Sequence, residues 1–300
     1  MSRHFLRIPD FPSTRIYELL ERARTIKKDR ERSEILRDAC MVLLFEKAST
    51  RTRISFEVAV RELGGSTIFM TPAESQLGRS EPLKDTIRVL ERYAQGLVAR
   101  TYSHQSLEEM ARYCGVPLIN ALSDMYHPCQ VMSDLLSVYE LTPEFSRLKI
   151  AWIGDGNNMA HSWINAASCL PFRLHLAVPR GYEPDSAVIA EARRAGADIE
   201  LGHDPREAAS GAHYINTDVW ASMGQESTRT ERMNHFREYQ VDPDLVALAG
   251  PEAKVMHCLP AHRGEEIADE VLEGPQSIVW DQAENRLHMQ KALLEWIATG

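Results

Sequence analysis

Short apolar runs alternate along this chain with stretches of helical periodicity, and that alternation restricts the fold more than any other feature. Residues 40–45, 66–70, 97–100 and 117–120 read as strands. Between them, 54–63 (closed by Gly64-Gly65), a stretch marked by Leu83, Ile87, Leu90 and Ala94, and 105–114 read as helices. An opening helix is marked by Ile16, Leu19, Leu20, Ala23 and Ile26, with Ser13-Thr14-Arg15 expected to cap it near Arg15. A helix over 130–141 stops before Pro143. A second series follows, with strands expected at 149–153, 173–178, 199–201, 214–217, 255–257 and 277–280. Its helices are expected from about Met159, over 186–195, and from about Glu284 onward. Repeated βα units imply an α/β fold with mostly parallel sheets covered by helices on both faces. A chain of 300 residues is long for one core, so two domains are expected, divided near residues 135 to 150. In such sheets ligands sit at the carboxyl ends of the strands.

A net charge of −9 argues against nucleic acid or an anionic membrane as the main partner, so any phosphate site must be a local basic pocket. The five cysteines (Cys40, Cys114, Cys129, Cys169, Cys258) are scattered and form no C-x-x-C pair, which fits a reducing, cytoplasmic setting. The first residues carry no apolar signal core, and no run is long enough to span a bilayer.

Strand 40–45 runs directly into Ser49-Thr50-Arg51-Thr52-Arg53, at the start of a helix. Backbone N–H groups and the positive end of the helix dipole converge there. Hydroxyls favour a helix start, whereas two arginines oppose the dipole unless an anion offsets them. A phosphate resolves that conflict; simple capping by Ser49 is the competing reading. Arg100 ends the strand 97–100 and opens onto the same edge. His127-Pro128-Cys129-Gln130 follows the strand 117–120 and offers hydrogen-bond donors for a carbonyl or amide.

Gly154-Asp155-Gly156-Asn157-Asn158 follows a strand and opens a helix, like a dinucleotide-binding turn. The third glycine position holds Met159, however, and the next strand ends in Val178-Pro179-Arg180 with no acidic ribose partner. The segment is therefore read as a tight turn presenting the Asn157 and Asn158 amides. Asp218, after the strand 214–217, suits an ammonium group. Ser222 to Gly224 could donate backbone hydrogen bonds to a carboxylate. The segment from Met256 to Glu266 supports three readings: metal ligands, a Cys258 nucleophile with His262 as base, or contact of Cys258 with an amine substrate.

Taken together, Ser-Thr-Arg-Thr-Arg at 49–53, His-Pro-Cys-Gln at 127–130, Gly-Asp-Gly-Asn-Asn at 154–158, Asp-x-Trp-x-Ser-Met-Gly at 218–224 and His-Cys-Leu-Pro at 257–260 resemble the aspartate/ornithine carbamoyltransferase family, in family order and over essentially the whole chain. The Ser-Met-Gly and His-Cys-Leu-Pro segments point to its ornithine branch. One departure is Ala48, where relatives usually have proline, which should slightly loosen the approach to the phosphate loop.

The resemblance implies two doubly wound parallel-sheet domains joined by long helices. A carbamoyl phosphate domain would comprise residues 1–135 with a returning C-terminal helix at about 284–300, and an ornithine domain residues 136–283. Ser49, Thr50, Arg51 and Thr52 would bind the phosphate. Arg100, His127 and Gln130 would hold the carbamoyl group, Arg286 would complete the site, and Gln76 looks like the residue lent by a neighbouring subunit of a homotrimer. Asn158, Asp218, Ser222 and Met223 would hold the amino-acid end of ornithine. Cys258 and Leu259, counted with the carbamoyl phosphate contacts, would also meet its side-chain amine, with Cys258, as thiol or thiolate, accepting or polarising the amine proton. Arg51, Arg100, His127 and Cys258 are the implied catalytic residues. The resemblance implies no metal and no organic cofactor. The competing readings are transfer to a related amine such as putrescine or an N-acylated ornithine, a non-catalytic relative that binds carbamoyl phosphate, and a nicotinamide-dependent dehydrogenase.

Overall fold

The structure is a computed structural model and describes residues 4–74, 81–221 and 228–299. The chain forms two compact units, Met1–Leu136 with Asn285–Gly300, and Ser137–Glu284.

The first unit is built on a four-stranded parallel sheet. Its strands are β1 (Cys40–Phe45), β2 (Ser66–Met70), β3 (Gly96–Arg100) and β4 (Leu118–Leu122), in the order β2-β1-β3-β4. Helices α1 (Ser13–Asp29), α2 (Thr50–Glu62), α3 (Leu83–Leu90) and α4 (His104–Tyr113) follow the strand-helix alternation, and α5 (Pro128–Leu141) begins in this unit. Val42, Leu44, Leu97 and Ala99 pack with Ile87, Leu107 and Met110 in a buried cluster, which is why β1 and β3 read as continuous apolar runs. Strand order reverses between β1 and β3, where Phe45 is paired with Arg100. The chain leaves both strands at that edge, so the segment after Phe45 and the side chain of Arg100 share the crevice that the topology creates.

The second unit holds β5 (Lys149–Ile153), β6 (Arg173–Ala177), β7 (Asp198–Gly202), β8 (Tyr214–Thr217) and β9 (Lys254–His257), all parallel, in the order β7-β6-β5-β8-β9. Here the reversal falls between β5 and β8, joined additionally by Thr217 Oγ1 donating to the Ile153 carbonyl at 2.7 Å. Helices α6 (Asn158–Cys169), α7 (Ser186–Arg194), α8 (Pro205–Ala209), α9 (Arg229–Phe236), α10 (Pro243–Ala249) and α11 (Asp269–Leu272) surround it. The last helix, α12 (Val279–Ala298), starts in this unit and ends in the first.

Three expectations are corrected. No strand forms at 277–280: Ser277 makes a single bridge to Val255, and α12 begins at Val279, five residues ahead of the expected Glu284. Val279 is buried in the core of the second unit, and Asp281 in the first turn suits the helix dipole, so tertiary burial overrides the strand propensity of Ile278-Val279-Trp280. Ser13 does not cap α1; Pro12 occupies that position, and its carbonyl accepts from the N–H groups of Arg15 and Ile16. Helix α3 ends at Leu90, short of the expected Ala94.

Within the first unit the end of α12 is tied down by charge. Lys291 is buried, with Nζ donating to Glu62 Oε2 at 2.9 Å and to the Glu31 carbonyl. Glu295 takes both nitrogens of the Arg22 fork. Lys291→Ala leaves Glu62 with the longer Arg32 contact at 3.4 Å and takes this donor from the Glu31 carbonyl, and urea unfolding should register a loss of about 2 kcal/mol.

Candidate active site

In the first unit, Ser49 is the N-cap of α2. Its Oγ accepts from the Thr52 N–H at 3.3 Å, so the capping reading is correct as far as it goes. The two arginines of the segment differ in role. Arg53 is engaged, pairing with Glu57 at 2.8 Å and stacking 3.7 Å above the Phe69 ring. Arg51, on the first turn, is exposed.

Facing this turn is a buried polar cluster. Arg100 and Arg286 are 5% and 3% exposed. Arg286 enters from α12 and donates to Thr52 Oγ1 at 2.7 Å and to Gln130 Oε1; the Gln130 amide in turn donates to Asp134 Oδ1 at 2.8 Å. Gln130 and Asp134 lie one turn apart on α5, on the same face. His127 sits at the head of the same helix, fully enclosed. Burial, then the positive charges of Arg286, Arg100 and Arg51, hold its pKa well below the usual 6.5. Its ring is therefore neutral at pH 7, with one N–H to donate and one nitrogen to accept. Arg51, although exposed, adds the smallest of these positive fields at the ring. Such a cluster is costly to bury unless an anion answers it.

The second unit brings together residues that leave β5, β8 and β9. Asn157 caps α6 through Oδ1, which accepts from Met159 and Ala160, while its Nδ2 donates to Asp218 Oδ2 at 2.9 Å. The other oxygen of Asp218 accepts from the Cys258 thiol at 2.9 Å. Asn158, the first residue of α6, follows the cap. Asp155 pairs with Arg232 at 2.9 Å, and Arg232 also donates to the Trp220 carbonyl at 2.8 Å. Burial pushes Asp155 up to about 6 against the pull of Arg232, with Asp218 adding to the rise. A carboxyl raised in the folded state contributes stability at low pH that is lost as pH climbs from about 4 through 6.

Behind Cys258, His257 and Glu266 form a pair with no solvent exposure: Nε2 lies 3.0 Å from Glu266 Oε1, and Nδ1 accepts from the Leu259 N–H at 2.8 Å. Both contacts assign the ring proton to Nε2. They also brace Leu259, whose φ of 56° is uncommon for a branched side chain. His262, weighed above as a base for Cys258, instead directs Nδ1 toward Glu265 and Glu266.

The dinucleotide reading fails on space. A Cβ on Gly156 would come within 2.4 Å of the Tyr182 carbonyl oxygen and of Pro184 N, so the open side of this glycine is filled by the chain itself. Gln76, Ser222 and Met223 lie outside the described residues. Sequence reasoning missed Asp134 and Arg232 as site neighbours, and it named Asp155, His257 and Glu266 only within longer motifs, without these pairings. The four-residue step from Gln130 to Asp134 on one helix face could have signalled the first.

Family models for the aspartate/ornithine carbamoyltransferase carbamoyl-P binding domain and Asp/Orn binding domain match residues 3–140 and 146–297. The chain belongs to the aspartate/ornithine carbamoyltransferase family. Within that family, it is 57% identical to the ornithine carbamoyltransferase of Oleidesulfovibrio alaskensis over 100% of both chains. It is 50% identical to that of Methylococcus capsulatus over 99% of both. Among solved structures, the ornithine carbamoyltransferase from Pyrococcus furiosus superposes with a TM-score of 0.95 at 44% identity, covering 100% of this chain and 98% of that one. The Thermus thermophilus enzyme gives 0.91 at 39% identity, with 99% of each chain covered.

Because the folded pKa of His127 is depressed, the unfolded chain takes up this proton first as pH falls. Stability from the neutral ring is present above about pH 6.5 and lost below it. The ring ¹⁵N shifts of His127 should accordingly remain those of a neutral imidazole between about pH 8 and about pH 6, where an ordinary histidine titrates.

Proposed function

We propose that this chain transfers the carbamoyl group of carbamoyl phosphate to the side-chain amine of L-ornithine, giving L-citrulline and phosphate, a reaction of arginine metabolism. The observation that carries the assignment of roles is the cluster of Arg51, Arg100 and Arg286 around a neutral His127, an anion site inside an acidic protein.

Residues 1–135 with 284–300 bind carbamoyl phosphate. Ser49, Thr50, Arg51 and Thr52 take the phosphate at the α2 N-terminus, where backbone N–H groups and the helix dipole add to the guanidinium groups. Arg100, His127 and Gln130 take the carbamoyl group, and Arg286 orders Thr52 and Gln130 about it. Residues 136–283 bind ornithine, with Asp218 and Asn158 on its amino-acid end, joined by Ser222 and Met223. Cys258 and Leu259 meet the side-chain amine.

The amine must be neutral to attack, and in water its pKa is about 10, as for lysine. Its lone pair then adds to the carbamoyl carbon, negative charge grows on the carbonyl oxygen, and the C–O bond to phosphate breaks. A neutral His127 donates to that oxygen without the desolvation cost of a buried imidazolium, while Arg51 and Arg100 neutralise charge on the oxyanion and the departing phosphate. The Cys258 thiol, already donating to Asp218, lines a polar path for the proton shed by the amine. The carbamoyl donor is activated by its phosphate, so the chemistry asks for no organic cofactor. The assembly is a homotrimer in which Gln76 serves the neighbouring site, acting in the cytoplasm; the family resemblance and the five free cysteines support this. Among the described residues no helix is long and apolar enough to cross a membrane.

Purified protein given carbamoyl phosphate and ornithine should form citrulline faster than it carbamoylates putrescine or acetylornithine; absence of citrulline overturns the reading. Arg51→Ala should lower turnover by about 100-fold or more, and an effect below about threefold would remove Arg51 from the phosphate site. Cys258→Ser should reduce turnover and raise the KM for ornithine while carbamoyl phosphate affinity stays nearly constant. A loss confined to carbamoyl phosphate would reassign the cysteine.

A further inference from the structure

The turn beyond Pro260 carries a second group of ligand-capable side chains that the transfer chemistry does not use. A tight turn brings His262, Glu265 and Glu266 together. The Glu265 N–H donates to the His262 carbonyl and the Gly264 N–H to the Ile267 carbonyl, each at 2.9 Å, and Gly264 takes a φ of 84°. One nitrogen and two carboxylate oxygens then lie within 4.8 Å of one another. His262 Nδ1 is 3.7 Å from Glu266 Oε2 and 3.9 Å from Glu265 Oε2.

Glu266 supplies an independent observation. It has no solvent exposure, and its Oε1 is used by His257 Nε2 and the His262 N–H. Its Oε2 is buried with no hydrogen-bond partner among the described residues, and it is directed at the His262 ring. A buried carboxylate oxygen without a donor calls for a cation or a water. His262 is exposed and Glu265 partly so, which leaves an approach from solvent.

We propose that His262, Glu265 and Glu266 bind one divalent transition-metal ion, with water completing its shell. Metal–ligand bonds of about 2.0–2.2 Å set the ligands of one ion roughly 3–3.5 Å apart, so the present spacing needs small side-chain rotations only. An imidazole with two carboxylates suits zinc or cobalt, whereas magnesium and calcium favour all-oxygen sites. The Arg229 guanidinium pairs with Glu265 Oε1 and leaves Oε2 for the ion. Arg263 is turned to Asp269 and Glu273, so its charge is spent elsewhere. Asp218, His257 and Cys258 also approach within 4.8 Å of one another, but both ring nitrogens of His257 are already committed, to Glu266 and Leu259.

The test is calorimetric titration of zinc chloride into the full-length Cys258→Ser protein, where no thiol at that position can capture the ion. One equivalent per chain should bind, and adding His262→Ala or Glu265→Gln should each weaken binding by about tenfold or more. Both substitutions lie at the rim of the turn, and circular dichroism on the same samples verifies that they fold. Cobalt bound to the same Cys258→Ser protein should show ligand-field bands without thiolate charge transfer. Absence of zinc binding, affinity untouched by either substitution, or a thiolate band in the cobalt spectrum would each overturn the site.

Discussion

Positive charge buried around an uncharged imidazole is the constraint on which the first unit depends. Arg100 and Arg286 lie almost wholly out of solvent, and Arg51 adds its field from the first turn of α2. Asp134 joins this network through the Gln130 amide, whose oxygen accepts from Arg286. Taking a guanidinium out of water costs several kcal/mol unless hydrogen bonds and opposite charge answer it. Hydrogen bonds from Arg286 to Thr52 and Gln130 offset part of that cost. Burial, reinforced by the same charges, keeps His127 neutral, so the proposed site would both attract phosphate and hold a donor for a developing oxyanion.

In the second unit the organising element is Asp218. One oxygen is fixed by Asn157, which also caps α6, and the other receives the Cys258 thiol. The carboxylate is thereby oriented from two strand ends at once. Glu266 and His257 do the corresponding work for the backbone after Cys258, where Leu259 is held in a left-handed conformation. Rigid support of this kind is what keeps a recognition group within the small tolerance that chemistry demands.

Much of this was legible in the residues because local and global rules agree. β1, β3 and β5 are apolar runs bounded by turn residues, and their order places Ser49–Arg53, Arg100 and Asn157 at strand ends with no further assumption. Legibility failed where tertiary burial decided. Ile278-Val279-Trp280 has the composition of a strand and forms the start of a helix. Helices α8 and α10 are short, yet Asp204-Pro205 and Asp242-Pro243 are readable starts, an acidic cap followed by proline at the first position. Arg232 gave no local signal, since its partner Asp155 is distant in sequence, and Glu266, inside the segment 256–266 singled out above, gave no sign of pairing with His257 across a turn.

Arg286 lies 156 positions beyond the Gln130 side chain it contacts, and the sheet of the first unit is complete long before that residue is synthesised. A growing chain could assemble β1 to β4 early, yet it would hold an anion pocket lacking its third guanidinium and the lysine anchor at Lys291. On the proposed roles, full affinity for the donor would then arrive only with α12, late in translation. A nonsense codon shortly before Arg286 would thus spare every strand and, on the proposed roles, loosen the grip on phosphate.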